Sequence, residues 1–188
     1  MNQRSRATIP ADVAAAIKGA RLVGAPTSDK DDQWSASAHA AIDVAREVGA
    51  RLVLADVSTR SWVTTPYLAG GVAADTEGYS SGETSVGRAE LEALGRHYLV
   101  AQLDEAAAVG VKAEVWLAPK PGIGSLPMWL ERFPEIDVLV GPPLDNPSLR
   151  ERLLGDTMDG VRARAGDRVL VVVQSDGRLT LDRAAKAD

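Results

Sequence analysis

Short apolar runs alternate along this chain with stretches in which apolar residues recur every three or four positions. The apolar runs predict five strands, at 21–25, 51–57, 111–118, 136–140 and 168–174. Between the first two runs, Ala38, Ile42 and Ala45 have the spacing of one helix face. Nearly continuous apolar runs are typical of parallel strands covered by helices on both faces. The pattern therefore predicts an open, doubly wound five-stranded α/β domain.

Further signals define the ends of the predicted elements. The helices are expected at 11–19, 35–49, 85–109, around 128–130, and at 147–165. Asn146 is a suitable cap for the last of these, and Pro147 fits its first turn. Pro26 is expected to end the first strand. Asp176-Gly177 can turn the chain into a short additional hairpin strand near its end.

The whole chain, 1–188, is expected to form one domain with its core over about 20–174. Residues 58–84 interrupt the alternation with glycines, Ser and Thr, and a connection of that length is usually a binding loop, a lid or disorder. The aromatic side chains of this loop suit ligand or partner contacts and suit covering of the core equally well. The charged tail 182–188 is expected to fray.

Composition narrows the possible functions. The 188 residues include no cysteine and two histidines, and the formal net charge is -5. Disulfides, thiolate metal sites and cysteine nucleophiles are therefore excluded, and His39 and His97 have no spacing of a metal site or a triad. An acidic chain without a basic run predicts no binding to nucleic acid or anionic lipid. No apolar run approaches the ~20 residues of a membrane span, so a cytoplasmic location is expected.

The junction after the fourth strand is the most informative motif. The strand Val138–Gly141 opens directly into a loop and a predicted helix, which is where parallel α/β proteins hold phosphates. However, Pro142 and Pro143 follow Gly141, where a phosphate-binding loop needs glycines and N–H donors. The scaffold is thus typical of nucleotide binding, while the loop chemistry is altered.

The order of these elements resembles the universal stress protein family over roughly residues 20–174. The segments that carry the resemblance are 38–50 leading into 51–57, then 137–141, 149–155 and the final strand 169–173. The resemblance implies a flavodoxin-like sheet, also described as adenine nucleotide alpha hydrolase-like, with strand order 3-2-1-4-5. It also implies a homodimer formed along the last strand, through Val169, Val171, Val172 and Val173. An apolar strand of this kind would be a pairing hazard if left exposed.

Members of that family that bind ATP have an acidic residue after the first strand, and here Pro26 occupies that position while Ser28 is kept. The ends of the second and third strands remain compatible with a nucleoside-sized ligand. Asp56 and Val57 lie at the end of the second strand. Thr27 lies between Pro26 and Ser28 and is therefore also a candidate ligand residue.

The family's phosphate loop reads Gly-x-x-Gly, nine residues, then Gly and Ser or Thr. Gly141 and Gly155 match its outer glycines, but the middle one falls on Leu144 or Asp145. Asp156 replaces the hydroxyl residue, with Thr157 one place late, and a carboxylate there opposes a phosphate. Asp145 and Asp156 also allow a paired-carboxylate site for a metal or proton transfer, but the favourable interaction of acids at a helix start with the helix dipole is the stronger interpretation.

The sequence thus predicts a universal stress protein-like regulatory or stress-response module that is not an enzyme. It would act as a dimer through partner or small-ligand binding, without standard ATP binding. The alternative is a nucleotide sensor that binds ATP or AMP with weak or no ATPase activity. An enzyme transferring adenylate or sulfur lacks its motif residues here. The candidate ligand-binding residues are Pro26, Thr27, Ser28, Asp56, Val57, Gly141, Asp145, Asn146, Gly155, Asp156 and Thr157; no catalytic residue, metal site or certain cofactor is assigned.

Overall fold

A computed structural model describes residues 7–58, 86–117, 125–143 and 167–182. The helices in these ranges are α1 (Ala11–Ile17), α2 (Asp32–Val48), α3 (Arg88–Ala93), α4 (His97–Ala108) and α5 (Leu126–Arg132). The strands are β1 (Leu22–Thr27), β2 (Arg51–Asp56), β3 (Ala113–Leu117), β4 (Val138–Gly141), β5 (Val169–Val173) and β6 (Leu179–Leu181). The helix predicted at 147–165, the tail from 183 and the loop from 59 to 84 lie outside the described residues.

The strands form one sheet in the order β3-β2-β1-β4-β5-β6, with parallel pairing from β3 through to β5. The predicted α/β class and the order 3-2-1-4-5 are therefore confirmed. β6 pairs antiparallel with β5, as the turn at Asp176-Gly177 indicated, so the sheet has six strands instead of five.

Side-chain alternation along the strands gives the sheet two distinct apolar faces. On one face, which we call the α2 face, Val23, Leu52 and Val138 pack with residues of α1, α2, α3 and α4. On the other, the α5 face, Leu22 and Leu139 pack with residues of α5. Helices on both faces explain why the central strands are apolar on both sides.

The expectation that Pro26 ends β1 is wrong, because the strand continues to Thr27. The carbonyl oxygens of Arg21 and Thr27 accept hydrogen bonds from β2 residues, whereas that of Leu22 accepts one from Asp137, next to β4. Even-numbered residues of β1 thus direct their backbone groups toward β4. The missing N–H of Pro26 falls on that side, where the pairing of β1 with β4 has already stopped at Gly24. The proline therefore lies beyond the end of the β1–β4 pairing and leaves the β1–β2 pairing intact.

The single helix predicted at 85–109 is in fact two helices, α3 and α4. Gly95 has a φ of 68° between them, in the left-handed region that glycine adopts without strain. Leu94 and Gly95 close α3 with backbone hydrogen bonds to Glu90 and Glu92. The apolar spacing continues across the break, which is why the sequence pattern alone predicts one helix.

The hairpin strand indicated by Asp176-Gly177 is β6, which pairs with β5 at Val171, Val172 and Val173. That edge of β5 is therefore hydrogen-bonded within the chain, and Val171 and Val173 are buried on the α2 face. The exposed edge on this side of the sheet belongs to β6.

Candidate functional site

The carboxyl ends of β1 and β4 define the candidate site. β1 lies between β2 and β4, so the chain leaves β1 toward one side of the sheet and arrives at β4 on the other. Open α/β sheets bind ligands at this kind of switch point, because the loops on the two sides diverge. In this protein the divergence is marked, since β1 and β4 pair only at Val23–Val138 and Gly24–Leu139.

The two faces of the sheet divide the sequence-predicted ligand residues into two groups. Thr27 and Asp56 lie on the α2 face, where they bond to residues of α4 and of the turn before it. Pro26, Gly141 and Val57 lie on the α5 face. The structure therefore does not bring all the predicted residues to one cavity.

A buried polar network surrounds Asp56. The Nη1 atom of Arg96 lies 3.3 Å from Asp56 Oδ2 and donates a hydrogen bond of 2.7 Å to Ser58 Oγ. The backbone N–H of Ser58 donates to Asp56 Oδ1 at 2.8 Å. Only 4% of the Asp56 side chain and 5% of the Arg96 side chain are exposed. The carboxylate is thus neutralised and hydrogen-bonded within the protein.

Tyr98 adjoins this network at the start of α4. Its burial, followed by the negative charge of Asp56, holds the pKa of the Tyr98 hydroxyl well above its usual value of 10. The phenol therefore remains protonated at neutral pH and does not act as a base there.

Thr27 and Ser28 are also buried and bonded within the protein. Thr27 Oγ1 lies 3.0 Å from the amide nitrogen of Gln102 in α4. Ser28 Oγ accepts a hydrogen bond of 3.1 Å from the backbone N–H of Lys30, which closes the turn before α2. Both hydroxyls stabilise the loop after β1, and a ligand would have to displace these bonds to reach them.

On the α5 face, the crevice is an apolar cavity of about 50 Å³, which opens into a wider space of about 520 Å³ that includes solvent. Its walls come from the end of β1, the first turn of α2, α5, and strands β4 and β5. The lining side chains central to the site are Pro26, Trp34, Leu126, Trp129, Leu139 and Leu170.

The backbone of this crevice offers few donors to an anion. Pro26 and Pro142 line it, and Pro143 follows, so three positions at the ends of β1 and β4 lack an N–H. Among the described lining residues there is no Lys, Arg or His, so none of them supplies a counter-charge for a phosphate.

Five of the predicted ligand residues, Asp145, Asn146, Gly155, Asp156 and Thr157, lie outside the described residues. Within the described ranges no three His, Cys, Asp or Glu side chains are grouped closely enough to hold a metal ion. His39 of α2 lies 2.6 Å from Glu105 of α4, and His97 is exposed at the start of α4. None of the described helices combines the length and apolar character needed to cross a bilayer.

Sequence reasoning missed two residues that shape the site. Arg96 follows Gly95, which separates α3 from α4. A cation directly after a glycine was the one sequence feature that could have singled it out. Trp34 lies in the first turn of α2 yet belongs to the apolar cluster of the α5 face. Its place in one apolar cluster with Trp129 depends on the packing of two helices distant in sequence, which no local pattern predicts.

Comparison with known proteins gives a fold-level result. No family model and no curated protein sequence matches the chain. A universal stress protein solved in complex with cAMP is 23% identical, covering 81% of this chain and 96% of its own, with a TM-score of 0.49. Universal stress protein UspA from Lactobacillus plantarum is 19% identical, covering 81% of this chain and 97% of its own, with a TM-score of 0.46. These neighbours are universal stress proteins, the family that the sequence motifs resemble.

Proposed function

We propose that the protein is a non-enzymatic regulatory module, similar in fold to universal stress proteins, that binds a small ligand in the crevice of the α5 face and is not a standard ATP binder. The observation that carries this proposal is the crevice itself. It lies at the switch point of the sheet, it is lined by apolar side chains, and its backbone lacks donors at Pro26, Pro142 and Pro143.

The electrostatics of the crevice support the exclusion of ATP. A triphosphate needs several N–H donors or cationic side chains to replace its hydration shell. Among the described residues that line the crevice there is no Lys, Arg or His to neutralise the phosphates. Arg96 lies on the opposite face of the sheet, where it is bonded to Asp56 and Ser58.

The polar side chains at the strand ends already bond to other residues of the protein, which supports a role without catalysis. A hydrolytic site needs a nucleophile or an activated water beside a base that is ready to accept a proton. The acid at the end of β2 and the hydroxyl at the end of β1, Asp56 and Thr27, already bond to Arg96 and Gln102. In the described part of the chain, these two residues therefore stabilise the buried polar contacts between the sheet and α4.

A homodimer and a cytoplasmic location are part of the proposal. The ladder bonds from Asp182 to Leu170 and from Gln174 to Arg178 place Leu179 and Leu181 of β6 at the positions whose backbone groups face away from β5. That edge of β6 is a template for pairing with a second copy of the chain.

Titration with ATP, followed by calorimetry and thermal unfolding, tests the exclusion of ATP. We expect millimolar ATP to leave the unfolding temperature of the native protein unchanged, because a ligand that does not bind the folded state cannot stabilise it. Replacing both Pro142 and Pro143 by glycine restores two N–H groups and is expected to raise ATP affinity. Pro134→Gly, in the turn after α5 at the other end of the sheet, is the control.

A native protein that gains several degrees with ATP would contradict the proposal and identify a nucleotide sensor instead. If the two glycines give no gain over Pro134→Gly, the missing donors at these positions are not what excludes ATP. Pro26, where the family places an acid, would then be the next residue to change.

A further inference from the structure

We propose that the outer edge of β6 pairs with the same edge of a second copy of the chain, antiparallel and about a two-fold axis that passes through Thr180. This inference rests on the homodimer of the proposed function, since it names the interface of that dimer and its register. A two-fold interface is self-complementary, because each residue of one copy meets a fixed partner residue of the other. The described residues of β6 have this property.

The outer edge of β6 is the edge at which the sheet ends on this side. β6 is the last strand in the sheet order, and no described strand pairs with its outer edge. The hydrogen bonds between β5 and β6 involve the backbone groups of even-numbered positions, including Arg178 and Asp182. The backbone groups of Leu179 and Leu181 are therefore directed away from β5. The edge of β5 that the family resemblance assigns to a dimer is occupied by β6 itself.

Side-chain contacts hold β6 in place on its own domain. The side chain of Leu179 is buried in the apolar cluster that includes residues of α1, and Leu181 packs partly against the same cluster. Thr180 Oγ1 accepts a hydrogen bond of 2.9 Å from Gln174 Nε2. A second copy would thus meet a strand whose geometry is already fixed, which lowers the entropic cost of association.

A two-fold axis through Thr180 matches the outward backbone groups of the two copies. It places Leu179 of each copy opposite the partner's Leu181, and both residues direct their N–H and C=O groups outward. Each such pair forms a hydrogen-bonded pair of an antiparallel ladder. A register shifted by one residue would instead set these groups against groups that already bond to β5.

The same register brings opposite charges together. Arg178 lies two residues before Thr180 and Asp182 two residues after it, so Arg178 of each copy comes opposite the partner's Asp182. These side chains share one face of the sheet, because side chains alternate along a strand. Oppositely charged residues directly across an antiparallel pair stabilise it. Within the chain, Arg178 lies 3.7 Å from Asp176 in an exposed ion pair, which contributes little and does not hold the guanidinium away from a partner.

Reversal of either charge tests this register. Arg178→Asp places two carboxylates opposite each other at both ends of the pairing, and Asp182→Arg places two cations there. Measured by sedimentation equilibrium on the full chain, each single variant is expected to dimerise at least about tenfold more weakly than the native protein. Arg51→Asp, at the exposed start of β2 and far from β6 in the sheet order, is the matched control and should dimerise like the native protein.

An equimolar mixture of the two single variants tests the register more sharply. In a heterodimer of Arg178→Asp with Asp182→Arg, every charge pair of the proposed register is again opposite in sign. Native mass spectrometry of the mixture should therefore show heterodimers in large excess over either homodimer. The double variant, Arg178→Asp with Asp182→Arg in one chain, restores the same pairs with the signs exchanged and should dimerise like the native protein.

The outcomes separate this inference from the proposed function. A native protein that is monomeric at every concentration would overturn both the β6 interface and the proposed homodimer, but not the exclusion of ATP. A native dimer that neither single variant weakens would keep the homodimer and overturn the β6 interface. Weakening of both variants without heterodimers in the mixture would show that the register about Thr180 is wrong. Should a single variant fail to fold, a folded but monomeric double variant would overturn the inference.

Discussion

Replacing Arg96 by methionine is expected to lower the free energy of unfolding by about 3–5 kcal/mol, the usual effect of removing one partner of a buried ion pair. The guanidinium lies against Asp56 at the carboxyl end of β2, and both side chains are at most 5% exposed. Methionine keeps much of the side-chain volume but removes the cation that faces the Asp56 carboxylate. An uncompensated charge at that depth destabilises the fold.

Urea denaturation followed by fluorescence measures this change. Arg88→Met is the matched control, because Arg88 pairs with Glu92 and Asp104 on the exposed surface of α3 and α4. Exposed pairs contribute little, so this control should be close to the native protein. The double variant Asp56→Leu with Arg96→Met should recover much of the loss, since it removes both charges. Equal effects of Arg96→Met and Arg88→Met would contradict a buried network.

Truncation of Trp129 to alanine is expected to cost about 3–5 kcal/mol of stability, as for other large buried aromatic residues. Trp129 anchors α5 to the sheet by packing directly over β1. An added Cβ at Gly24 would lie 2.9 Å from Trp129 Cη2 and 2.9 Å from Ile136 Cδ1. The glycine in this central strand therefore makes room for the indole ring.

A double-mutant cycle measures this contact. Gly24→Ala alone should destabilise by about 1–3 kcal/mol through overpacking. In the Trp129→Ala background the same change should cost less, because one of the two side chains that it meets is gone and the other, Ile136, has room to move. Gly141→Ala, at a strand glycine with open space around its Cβ position, is the control and should be near neutral. Strictly additive effects would show that Trp129 does not pack on Gly24 in solution.

The architecture could be predicted from the sequence because its signals are local. Apolar runs and helical spacing give the strands β1 to β5, and Gly49, which has a φ of 68°, ends α2 where the pattern predicts. The failures have equally local causes. A proline ends a strand only if its missing N–H faces a partner, and the direction of the Pro26 N atom depends on its register with β2 and β4.

The site was less predictable because it depends on which face of the sheet each side chain meets. Thr27 and Pro26 are neighbours in sequence, yet one bonds to Gln102 on the α2 face and the other lines the cavity on the α5 face. Assigning ligand residues only by their position at strand ends does not distinguish the two faces of the sheet. The partner that fixes Asp56 is Arg96, 40 positions away in the sequence numbering. Such contacts follow from tertiary packing and not from any motif.

Native mass spectrometry of the freshly purified full chain, with analysis of the molecules released on denaturation, tests the central claim most directly. The proposed function predicts a dimer that releases no nucleoside phosphate. Stoichiometric release of ATP, AMP or another phosphorylated nucleoside would contradict the claim that the crevice excludes anions.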